Sequence, residues 1–423
     1  MSIFRIEGGH PLSGSVRVQG AKNSVLPILA AAFLSPEECV IHNCPHLTDV
    51  EHTLSILRHL GCRAEWEGDS VRVDASAPQN ADVPDSLMGE MRSSVVFLGP
   101  ILGRMGKAEL SYPGGCELGP RPIDLHLAAL RTLGADIQER SGRLSCEGRL
   151  KGGDITLSLP SVGATENAML AAVTADGVTT ITNAAREPEI VDLQNFLNTM
   201  GADVHGAGSS VVTVRGGKPL HGGEHTVIAD RIVACTYLSA VASAGGEGEV
   251  TGVDWRQLST VTAVLSEAGC KVESGMDSIY IRTDKRLRAV RPIRTAPYPG
   301  FPTDAQAVVM AALCKAQGAT VFSENMFDSR YRHVDELTRM GADIRVEGKV
   351  AVVYGVERLF GAKVKSTDLR GGAALAVAGL GAEGETVISG LKHIDRGYAG
   401  LAEDLRALGA KIRREEEKLT ENS

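Results

Sequence analysis

The sequence predicts an α/β protein built from six similar βαβαββ repeats, three in each of two domains. Three observations lead to this prediction: the chain length, a glycine-terminated leucine helix that recurs at regular spacing, and β-branched segments near each helix. The 423 residues exceed one ordinary domain, which makes two the default number. Hydrophobic content of 43% with charged content of 23% is typical of a globular protein.

A helix that ends in a leucine-rich turn and a glycine recurs six times along the chain. The first instance is the segment 57–62 and the last is 405–410. The terminal glycines stand 67 to 73 residues apart, at Gly61, Gly134, Gly201, Gly269, Gly341 and Gly409. A glycine directly after helically spaced leucines is typical of a helix C-terminus. The regular spacing therefore predicts six copies of one structural unit.

Each repeat also contains a second helix that is rich in small apolar residues, as at 25–33 and 305–316. Because such a helix is apolar on nearly all sides, it is predicted to be buried. A β-branched strand follows it, as at 319–322, and two further strands follow the leucine helix, as at 343–346 and 350–353. The unit therefore reads strand, helix, strand, helix, strand, strand.

The sixth repeat lacks its last strand, because the chain ends in the polar segment 413–423. The opening strands at 4–7 and 15–18 can supply what is missing, so the two termini are expected to meet. Three repeats per half then predict one domain at 22–229. The other domain is predicted to combine 1–21 with 230–423.

Polar residues stand at the start of each apolar helix. They are Lys22-Asn23, Arg92-Ser93, Thr165-Glu166-Asn167, Asp230-Arg231, Thr303-Asp304 and Leu369-Arg370. Capping explains the Asp, Asn, Ser and Thr residues, but a cation in the first helical turn opposes the helix dipole. Four cations at equivalent positions predict that these helix starts bind a substrate rich in negative charge, in a cleft shared by the two domains.

Composition and motifs exclude several classes of protein. A net charge of -8 argues against a nucleic-acid surface. Neither a signal-peptide pattern at the N-terminus nor an apolar stretch long enough to cross a bilayer is present. Walker, nucleophile-elbow and HExxH motifs are missing as well, which disfavours ATP, hydrolase and zinc-protease chemistry. The sequence predicts a cytoplasmic protein that acts on small molecules.

Eight cysteines in a chain of this length are not a disulfide framework. Cys62, Cys235, Cys270 and Cys314 stand at apolar positions and are predicted to be buried thiols. Cys39, His42 and Cys44 alternate across a predicted strand, which is poor geometry for metal binding. The sequence therefore predicts neither a metal site nor a bound cofactor.

The segment 112–124 is predicted to be a loop, because its three glycines and three prolines exclude a helix and a central strand. Cys116 lies in this loop. A thiol with an ordinary pKa of about 8.5 can donate a proton near neutrality or attack as the thiolate, which Arg121 would favour. The residues alone leave open whether Cys116 is reactive or an incidental exposed thiol.

Several segments together resemble one family. They are Gly20-Ala21-Lys22-Asn23, Pro113-Gly114-Gly115-Cys116, Arg121-Pro122-Ile123-Asp124-Leu125-His126, Ser161-Val162-Gly163-Ala164-Thr165, Ala185-Arg186-Glu187-Pro188-Glu189-Ile190, Pro302-Thr303-Asp304 and His393-Ile394-Asp395-Arg396-Gly397-Tyr398. The family is that of UDP-N-acetylglucosamine 1-carboxyvinyltransferase, and the similarity extends from the first strand to about Arg413. It implies two inside-out α/β domains of three repeats each, which agrees with the repeat count.

The resemblance also implies an activity. Members move the enolpyruvyl group of phosphoenolpyruvate to the 3-hydroxyl of UDP-N-acetylglucosamine and release phosphate, by addition and elimination, in the first committed step of peptidoglycan synthesis. Such a reaction needs an acid for the methylene carbon, a base for the hydroxyl, and cations for the carboxylate and phosphate.

The resemblance assigns roles to individual residues. Cys116 is the acid and the thiol that can add covalently to phosphoenolpyruvate, and Asp304 is the base or the anchor for the sugar hydroxyl. The implied phosphoenolpyruvate-binding residues are Lys22, Asn23, Arg121, Arg330, Arg370 and Arg396, with Lys22 and Arg396 also counted as catalytic. The implied UDP-sugar-binding residues are Arg92, Arg121, Pro122, Ile123, Asp124, Leu125, Ser161, Val162, Gly163, Asp304 and the backbone of Met326.

Two departures from the family pattern bear on the loop and on the uridine side. Pro120 replaces a small or polar residue, and Leu159 stands where some members carry a lysine. Three alternatives stay open: the sister transferase acting on shikimate 3-phosphate, an RNA-end-processing protein of similar repeats, and a non-catalytic UDP-sugar-binding paralogue. The cysteine loop argues against the first, and the acidic charge with 4% aromatics argues against the second.

Replacing Cys116 tests its assigned role. Cys116→Ser is expected to lose most turnover and to escape alkylation by a fosfomycin-type epoxide, because the hydroxyl is a far weaker acid and nucleophile than the thiol. Phosphate release and the intact mass after epoxide treatment measure the two effects. Full labelling of the serine variant would refute the assignment.

Overall fold

The computed structural model describes residues 2–89, 91–112 and 123–416. Those residues divide into two compact units. Of the described residues, the N-terminal unit holds 20–89, 91–112 and 123–228, and the C-terminal unit holds 2–19 together with 229–416. These limits lie within two residues of the predicted domain boundaries.

Within the described residues, the strands form six four-stranded sheets, and all six have the same strand order. In each repeat the first strand pairs in parallel with the second, which pairs antiparallel with the fourth, and the third lies at the far edge. The register of the fifth repeat illustrates this: Ile293 pairs with Phe322, Phe322 with Ala351, and Val346 with Ala351. The predicted βαβαββ unit is confirmed.

The N-terminal unit contains the first three repeats. The elements of the first repeat are the strand Glu224–Thr226, the helix Lys22–Ala32, the strand Cys39–His42, the helix Thr48–His59 and the strands Arg63–Glu67 and Ser70–Asp74. Those of the second are the strand Asp82–Val83, the helices Asp85–Met88, Arg92–Phe97 (3-10) and Leu98–Met105, the strand Lys107–Ser111, the helix Asp124–Thr132 and the strands Asp136–Arg140 and Arg143–Glu147. Those of the third are the strand Asp154–Thr156, the helix Val162–Ala172, the strand Val178–Thr182, the helix Pro188–Thr199 and the strands Val204–His205 and Val211–Arg215.

The C-terminal unit contains the other three repeats. The elements of the fourth are the strand Ser15–Arg17, the helix Arg231–Ala244, the strand Gly246–Thr251, the helices Trp255–Leu258 (3-10) and Ser259–Glu267 and the strands Lys271–Ser274 and Ser278–Thr283. Those of the fifth are the strand Ile293–Arg294, the helix Thr303–Leu313, the strand Ala319–Ser323, the helix Val334–Arg339 and the strands Asp343–Glu347 and Val350–Tyr354. Those of the sixth are the strand Lys363–Lys365, the helix Leu369–Gly381, the strand Glu385–Ser389, the helices Leu391–Arg396 (3-10) and Leu401–Ala407 and the strands Lys411–Glu416 and Ser2–Glu7.

The two opening strands join different repeats. Ser2–Glu7 completes the sixth sheet, pairing with both Glu385–Ser389 and Lys411–Glu416, so that the ends of the described chain meet as expected. Ser15–Arg17 instead pairs in parallel with Gly246–Thr251 and begins the fourth repeat. Assigning both strands to the gap in the sixth repeat was therefore wrong for the second strand. Its partner strand is about 230 residues away, a distance over which local patterning carries no information.

The six recurring glycines end their helices as predicted. Each has a left-handed backbone, with φ between 88° and 109°. In the first repeat the N–H of Cys62 donates to the Leu57 carbonyl and that of Gly61 to the Arg58 carbonyl. This pair of bonds satisfies helix-terminal carbonyls and requires a residue that tolerates positive φ.

Each unit has a hydrophobic core of its own, built around three buried helices. In the C-terminal unit these core helices are Arg231–Ala244, Thr303–Leu313 and Leu369–Gly381, which pack against one another. Lys315 Nζ donates to the Gly381 carbonyl at 2.5 Å, and a Cβ added to Gly381 would lie 2.5 Å from Ser243 Oγ. The C-termini of the three helices therefore meet at one end of the core.

The cysteine prediction holds for the described residues. Cys62, Cys235, Cys270 and Cys314 are buried free thiols. Burial raises the pKa of Cys62, Cys235 and Cys314 to about 12. Over the part of the chain that the structure describes, no helix is both long and apolar enough to cross a membrane.

In the N-terminal unit a half-buried arginine satisfies carbonyl groups beyond a helix end. Arg104 Nη1 donates to the carbonyls of Phe33 and Ser35, which follow the Lys22–Ala32 helix. Arg104→Met keeps the apolar stem but leaves these acceptors without the guanidinium. We expect the free energy of unfolding to fall by about 1–3 kcal/mol, measured by chemical denaturation.

Arg149→Met is the matched control for that prediction. Arg149 belongs to the same unit and pairs with Asp176 at 2.8 Å, but its side chain is 83% exposed. The control should change the free energy of unfolding by less than about 1 kcal/mol. Equal effects of the two substitutions would contradict the role assigned to Arg104.

Candidate active site

The starts of two core helices in the C-terminal unit meet at Asp304. Asp304 is the second residue of the Thr303–Leu313 helix, and Arg370 is the second residue of the Leu369–Gly381 helix. Arg370 donates to Asp304 Oδ2 through Nε at 3.3 Å and through Nη2 at 3.2 Å. Arg330 Nη2 donates to Asp304 Oδ1 at 2.5 Å. Three of the residues predicted for the site therefore converge.

The two arginines are buried, whereas the carboxylate between them is partly open. The side chains of Arg330 and Arg370 are each 3% exposed, and that of Asp304 is 28% exposed. A carboxylate that accepts from two guanidinium groups is in its acceptor-only, ionised form. Asp304 therefore has both the charge and the access to accept a proton or a hydrogen bond from a substrate hydroxyl.

Asp368 fixes the position of Arg370 in its helix. Asp368 Oδ1 accepts from the N–H groups of Arg370 at 3.1 Å and Gly371 at 2.9 Å, which is an N-cap. Burial alone would lower the pKa of Arg370, but Asp304, Tyr398 and Asp230 outweigh it and raise the pKa above its ordinary value. Arg370 therefore stays charged at the start of a helix whose dipole opposes it.

Tyr398 supports Arg370 from the other side. Its hydroxyl accepts from Arg370 Nη1 at 3.3 Å and bonds Thr236 Oγ1 at 2.7 Å, and the guanidinium lies 5.6 Å from the ring centroid. Thr236 belongs to the Arg231–Ala244 helix, so Tyr398 links two of the core helices. Arg231 itself lies over the ring of Tyr298, 5.6 Å from its centroid. Sequence reasoning did not assign a function to Tyr398.

Arg396 is the last residue of the 3-10 helix Leu391–Arg396 and is half-buried. The residues after it are held by Gln19. Gln19 Nε2 donates to the Gly397 carbonyl at 3.2 Å, and its Oε1 accepts from the Ala399 N–H at 2.8 Å. These bonds fix the backbone on which Arg396 stands.

In the N-terminal unit, Lys22 is the first residue of its helix and is paired with a buried carboxylate. Lys22 Nζ lies 2.6 Å from Asp49 Oδ2, and the two side chains are 12% and 1% exposed. Asp49 belongs to the next helix of the same repeat. Like Arg370, Lys22 opposes the dipole of its own helix and has a protein carboxylate beside it. The sequence does not predict Asp49 as a site residue, because an acidic residue in the first turn of a helix is common.

Asn23 is exposed, and the residue after it anchors the helix start. Ser24 Oγ donates to Asp192 Oδ2 at 2.5 Å. Asp192, which is 3% exposed, also contacts His225 Nε2 at 2.8 Å and accepts from the Ile228 N–H at 3.2 Å. One buried carboxylate therefore ties the Lys22–Asn23 turn to the last strand of the unit.

The segments 123–125 and 161–163, which were predicted to bind the same substrate, begin neighbouring helices of the N-terminal unit. Ser161 caps its helix by accepting from the Ala164 N–H at 3.3 Å. A Cβ added to Gly163 would lie 3.0 Å from His126 Cε1, so the two helix starts are in contact. Asp124 is exposed, while Leu125 and the residues Ser161, Val162 and Gly163 are half-buried.

Some predicted site residues cannot be placed. Cys116, Arg121 and Pro122 lie outside the described residues, and of Arg92 the structure describes the backbone, at the start of a 3-10 helix. Met326 is 38% exposed, and its N–H is taken by Glu324. Among the described residues, no group of three His, Cys, Asp or Glu side chains has a geometry that could hold a metal ion.

Among known proteins, the family described as EPSP synthase (3-phosphoshikimate 1-carboxyvinyltransferase) matches residues 6–419. UDP-N-acetylglucosamine 1-carboxyvinyltransferase 2 of Caldanaerobacter subterraneus subsp. tengcongensis is 52% identical over 413 residues, covering 97% of this chain and 99% of the relative. UDP-N-acetylglucosamine 1-carboxyvinyltransferase of Idiomarina loihiensis is 46% identical over 417 residues, covering 98% and 99%.

Two solved structures of enolpyruvyl transferases have the same fold as this chain. The enolpyruvyl transferase NikO from Streptomyces tendae superposes with a TM-score of 0.88 at 28% identity, covering 98% of each chain. EPSP synthase from Acinetobacter baumannii superposes with a TM-score of 0.78 at 21% identity, covering 98% of this chain and 100% of that one. The second likeness concerns the fold alone.

The six-repeat fold, with a carboxylate and arginines at its helix starts, is that of an enolpyruvyl transferase. Within this class, two relatives that match nearly the whole chain, at 52% and 46% identity, are both UDP-N-acetylglucosamine 1-carboxyvinyltransferases. The chain belongs to the family of UDP-N-acetylglucosamine 1-carboxyvinyltransferases.

Glu166 makes a pH-dependent contribution to the stability of the N-terminal unit. It is buried in the Val162–Ala172 helix, and burial, with Glu189 and Glu187 nearby, raises its pKa from 4.5 to about 8. A raised carboxyl pKa means that the folded state binds a proton that the unfolded state has already lost above about pH 4.5. The contribution of Glu166 to the free energy of unfolding therefore falls as the pH rises from about 4.5 to 8.

We expect Glu166→Gln to remove this dependence. Its free energy of unfolding relative to the wild type should increase across that pH window, by at most about 1.4 kcal/mol per pH unit. Denaturant unfolding of both proteins at several pH values measures the difference. Parallel curves for the two proteins would contradict a neutral Glu166 in the folded state.

Proposed function

We propose that this chain transfers the enolpyruvyl group of phosphoenolpyruvate to the 3-hydroxyl of UDP-N-acetylglucosamine, releasing phosphate at the first committed step of peptidoglycan synthesis. The observation that carries the proposal is the Asp304 carboxylate, which two buried arginines hold with one side open to solvent. Near-complete coverage by relatives of that name supports the choice of acceptor.

In the addition step, the sugar 3-hydroxyl oxygen bonds to C2 of phosphoenolpyruvate while its proton passes to Asp304. The methylene carbon C3 takes a proton from the Cys116 thiol, so that the double bond becomes a single bond. Asp304 suits the base because it is ionised, partly exposed and fixed by two hydrogen-bonded partners. Once the thiol has given its proton to C3, the Cys116 thiolate can instead bond to C2 in place of the sugar oxygen, giving the covalent adduct.

In the elimination step, the bond from C2 to the phosphate oxygen breaks, and the Cys116 thiolate left by the addition step takes a proton from C3 as the enol ether forms. Asp304 gives its proton to the departing phosphate. Phosphate leaves with the electron pair of the broken bond. We assign Lys22, Asn23, Arg121, Arg330, Arg370 and Arg396 to the carboxylate and phosphate, which need cations and hydrogen-bond donors. Arg92, the segments 121–125 and 161–163, Asp304 and the Met326 backbone are assigned to the UDP-sugar.

The proposal requires no metal and no organic cofactor, because acid, base and cations all come from side chains. Both substrates are small cytoplasmic metabolites, and we therefore expect the chain to act in the cytoplasm. No nucleic acid or membrane takes part in the proposed reaction.

Phosphate release with phosphoenolpyruvate and one acceptor at a time tests the proposal. UDP-N-acetylglucosamine should support turnover and shikimate 3-phosphate should not. The reverse result would favour the sister transferase. Binding of UDP-N-acetylglucosamine without turnover would favour the non-catalytic paralogue.

Asp304→Asn tests the base within the same assay. The amide keeps the shape of the side chain but cannot take the hydroxyl proton, so kcat should fall about 10²–10⁴-fold. The KM for phosphoenolpyruvate should change less, because the arginines remain. Unchanged turnover would show that Asp304 is not the base.

A further inference from the structure

Glu324 is a buried acidic residue of the C-terminal unit that the proposed reaction does not use. It follows the strand Ala319–Ser323 and is 1% exposed. Its Oε1 accepts from Thr295 Oγ1 at 2.9 Å and from the N–H groups of Met326 at 2.7 Å and Phe327 at 3.1 Å. Four donors in all are directed at one carboxylate, since Oε2 accepts from Thr303 Oγ1 at 2.9 Å.

Three of those donors lie on two segments that the proposed function needs in register, and the fourth, Thr295, directly follows the strand Ile293–Arg294. One segment carries the main chain at Met326, assigned to the UDP-sugar. The other is the start of the Thr303–Leu313 helix, in which Asp304 follows Thr303 directly. Glu324 is therefore hydrogen-bonded to the backbone of the first and to the side chain next to Asp304 in the second.

The same two segments are joined a second time, through Arg330. The ring of Phe327 lies 5.7 Å from the Arg330 guanidinium carbon. Arg330 Nη2 donates to Asp304 Oδ1 at 2.5 Å and to the Thr303 carbonyl at 3.3 Å. The contacts form a closed ring that runs from Glu324 through Thr303, Asp304, Arg330 and Phe327 back to Glu324.

Because the ring is closed, the Met326 backbone cannot shift relative to the Asp304 carboxylate without breaking a hydrogen bond to a buried charge. We infer that Glu324 is a positioning residue for the sugar acceptor: it sets the distance between the main chain that holds the UDP-sugar and the carboxylate that accepts its hydroxyl. This inference rests on the proposed function and adds a residue to its sugar side.

A purely structural role for Glu324 makes a different prediction. Loss of stability reduces the fraction of active enzyme and so lowers the apparent kcat, leaving both KM values unchanged. Loss of register selectively weakens the binding of the UDP-sugar and therefore raises the KM for that substrate. The two roles are therefore separated by the KM values rather than by activity alone.

Glu324→Leu and Glu324→Gln are the informative pair. Leucine removes all four acceptor contacts at similar volume, and we expect the KM for UDP-N-acetylglucosamine to rise about tenfold with the KM for phosphoenolpyruvate within about twofold. Glutamine keeps Oε1 for the two N–H groups, and its amide can donate to the Thr303 hydroxyl, which can turn to accept. Its sugar KM should stay within about threefold of the wild type.

Thr320→Val is the matched control. Thr320 lies in the same repeat, is 2% exposed, and accepts from the Val290 N–H through Oγ1 at 3.2 Å. Its loss removes one buried hydrogen bond away from the ring and should lower the melting temperature without changing either KM. If Glu324→Leu fails to fold, Thr303→Val, which removes the Oε2 contact alone, must raise the sugar KM for the inference to stand.

Calorimetric titration with UDP-N-acetylglucosamine alone keeps this inference separate from the proposed function. Weaker binding by Glu324→Leu, with the glutamine variant close to wild type, is the supporting result. Wild-type affinity in the leucine variant, or equal rises in both KM values, overturns the role of Glu324 while leaving the function intact. A wild-type protein that neither binds nor converts this sugar overturns both.

Discussion

Each unit depends on the parallel packing of three buried helices whose dipoles point the same way. In the C-terminal unit, Asp304 and Arg370 join two helix starts, while Lys315 and Ser243 lie where the helices end. Aligned helices place partial positive charge at one end of the core and partial negative charge at the other. Neither end is stable in an apolar interior without groups that satisfy it.

The C-terminal ends are satisfied by cations of the protein itself. Lys315 donates to the Gly381 carbonyl, and Arg286 donates to the carbonyls of Lys315, Gly355 and Val356. Arg104 does the same in the N-terminal unit. These contacts agree with the dipole, so they are stabilising and need no ligand.

The N-terminal ends of these helices carry cations that oppose the helix dipole. Lys22, Arg231 and Arg370 add positive charge where the helices are already positive. Asp49 pairs with Lys22 and Asp304 pairs with Arg370, and helix N-termini with added cations also attract anionic ligands. A cation in the first helical turn is unfavourable for the helix itself, so its recurrence favours a role for these helix starts in binding carboxylate and phosphate groups.

The repeats, the glycine ends and the cations at the helix starts were predictable because each is a local pattern repeated at fixed spacing. The partners of those cations were not. Asp49 is ordinary as a first-turn residue. Tyr398 bonds Arg370 and Thr236, and Glu324 bonds Thr295 and Thr303, all of them tens of residues away, and periodicity does not encode such contacts. The placement of Ser15–Arg17 failed for the same reason, since strand pairing across the chain is set by the fold.

The six helix starts occupy the same position in each repeat but carry different side chains. The site arises from these differences. Lys22 finds its carboxylate within its own repeat, at Asp49. Arg370 pairs with a carboxylate of the neighbouring repeat, that of Asp304. Arg330, which lies on a third segment, pairs with the same carboxylate. Asp304 is thus held by residues from two repeats, which restricts its orientation more than a single ion pair would. A base held in this way meets the requirement of proton abstraction for fixed geometry at little cost in entropy at the moment of reaction. The packing that stabilises the core therefore also orients the group on which the proposed chemistry depends.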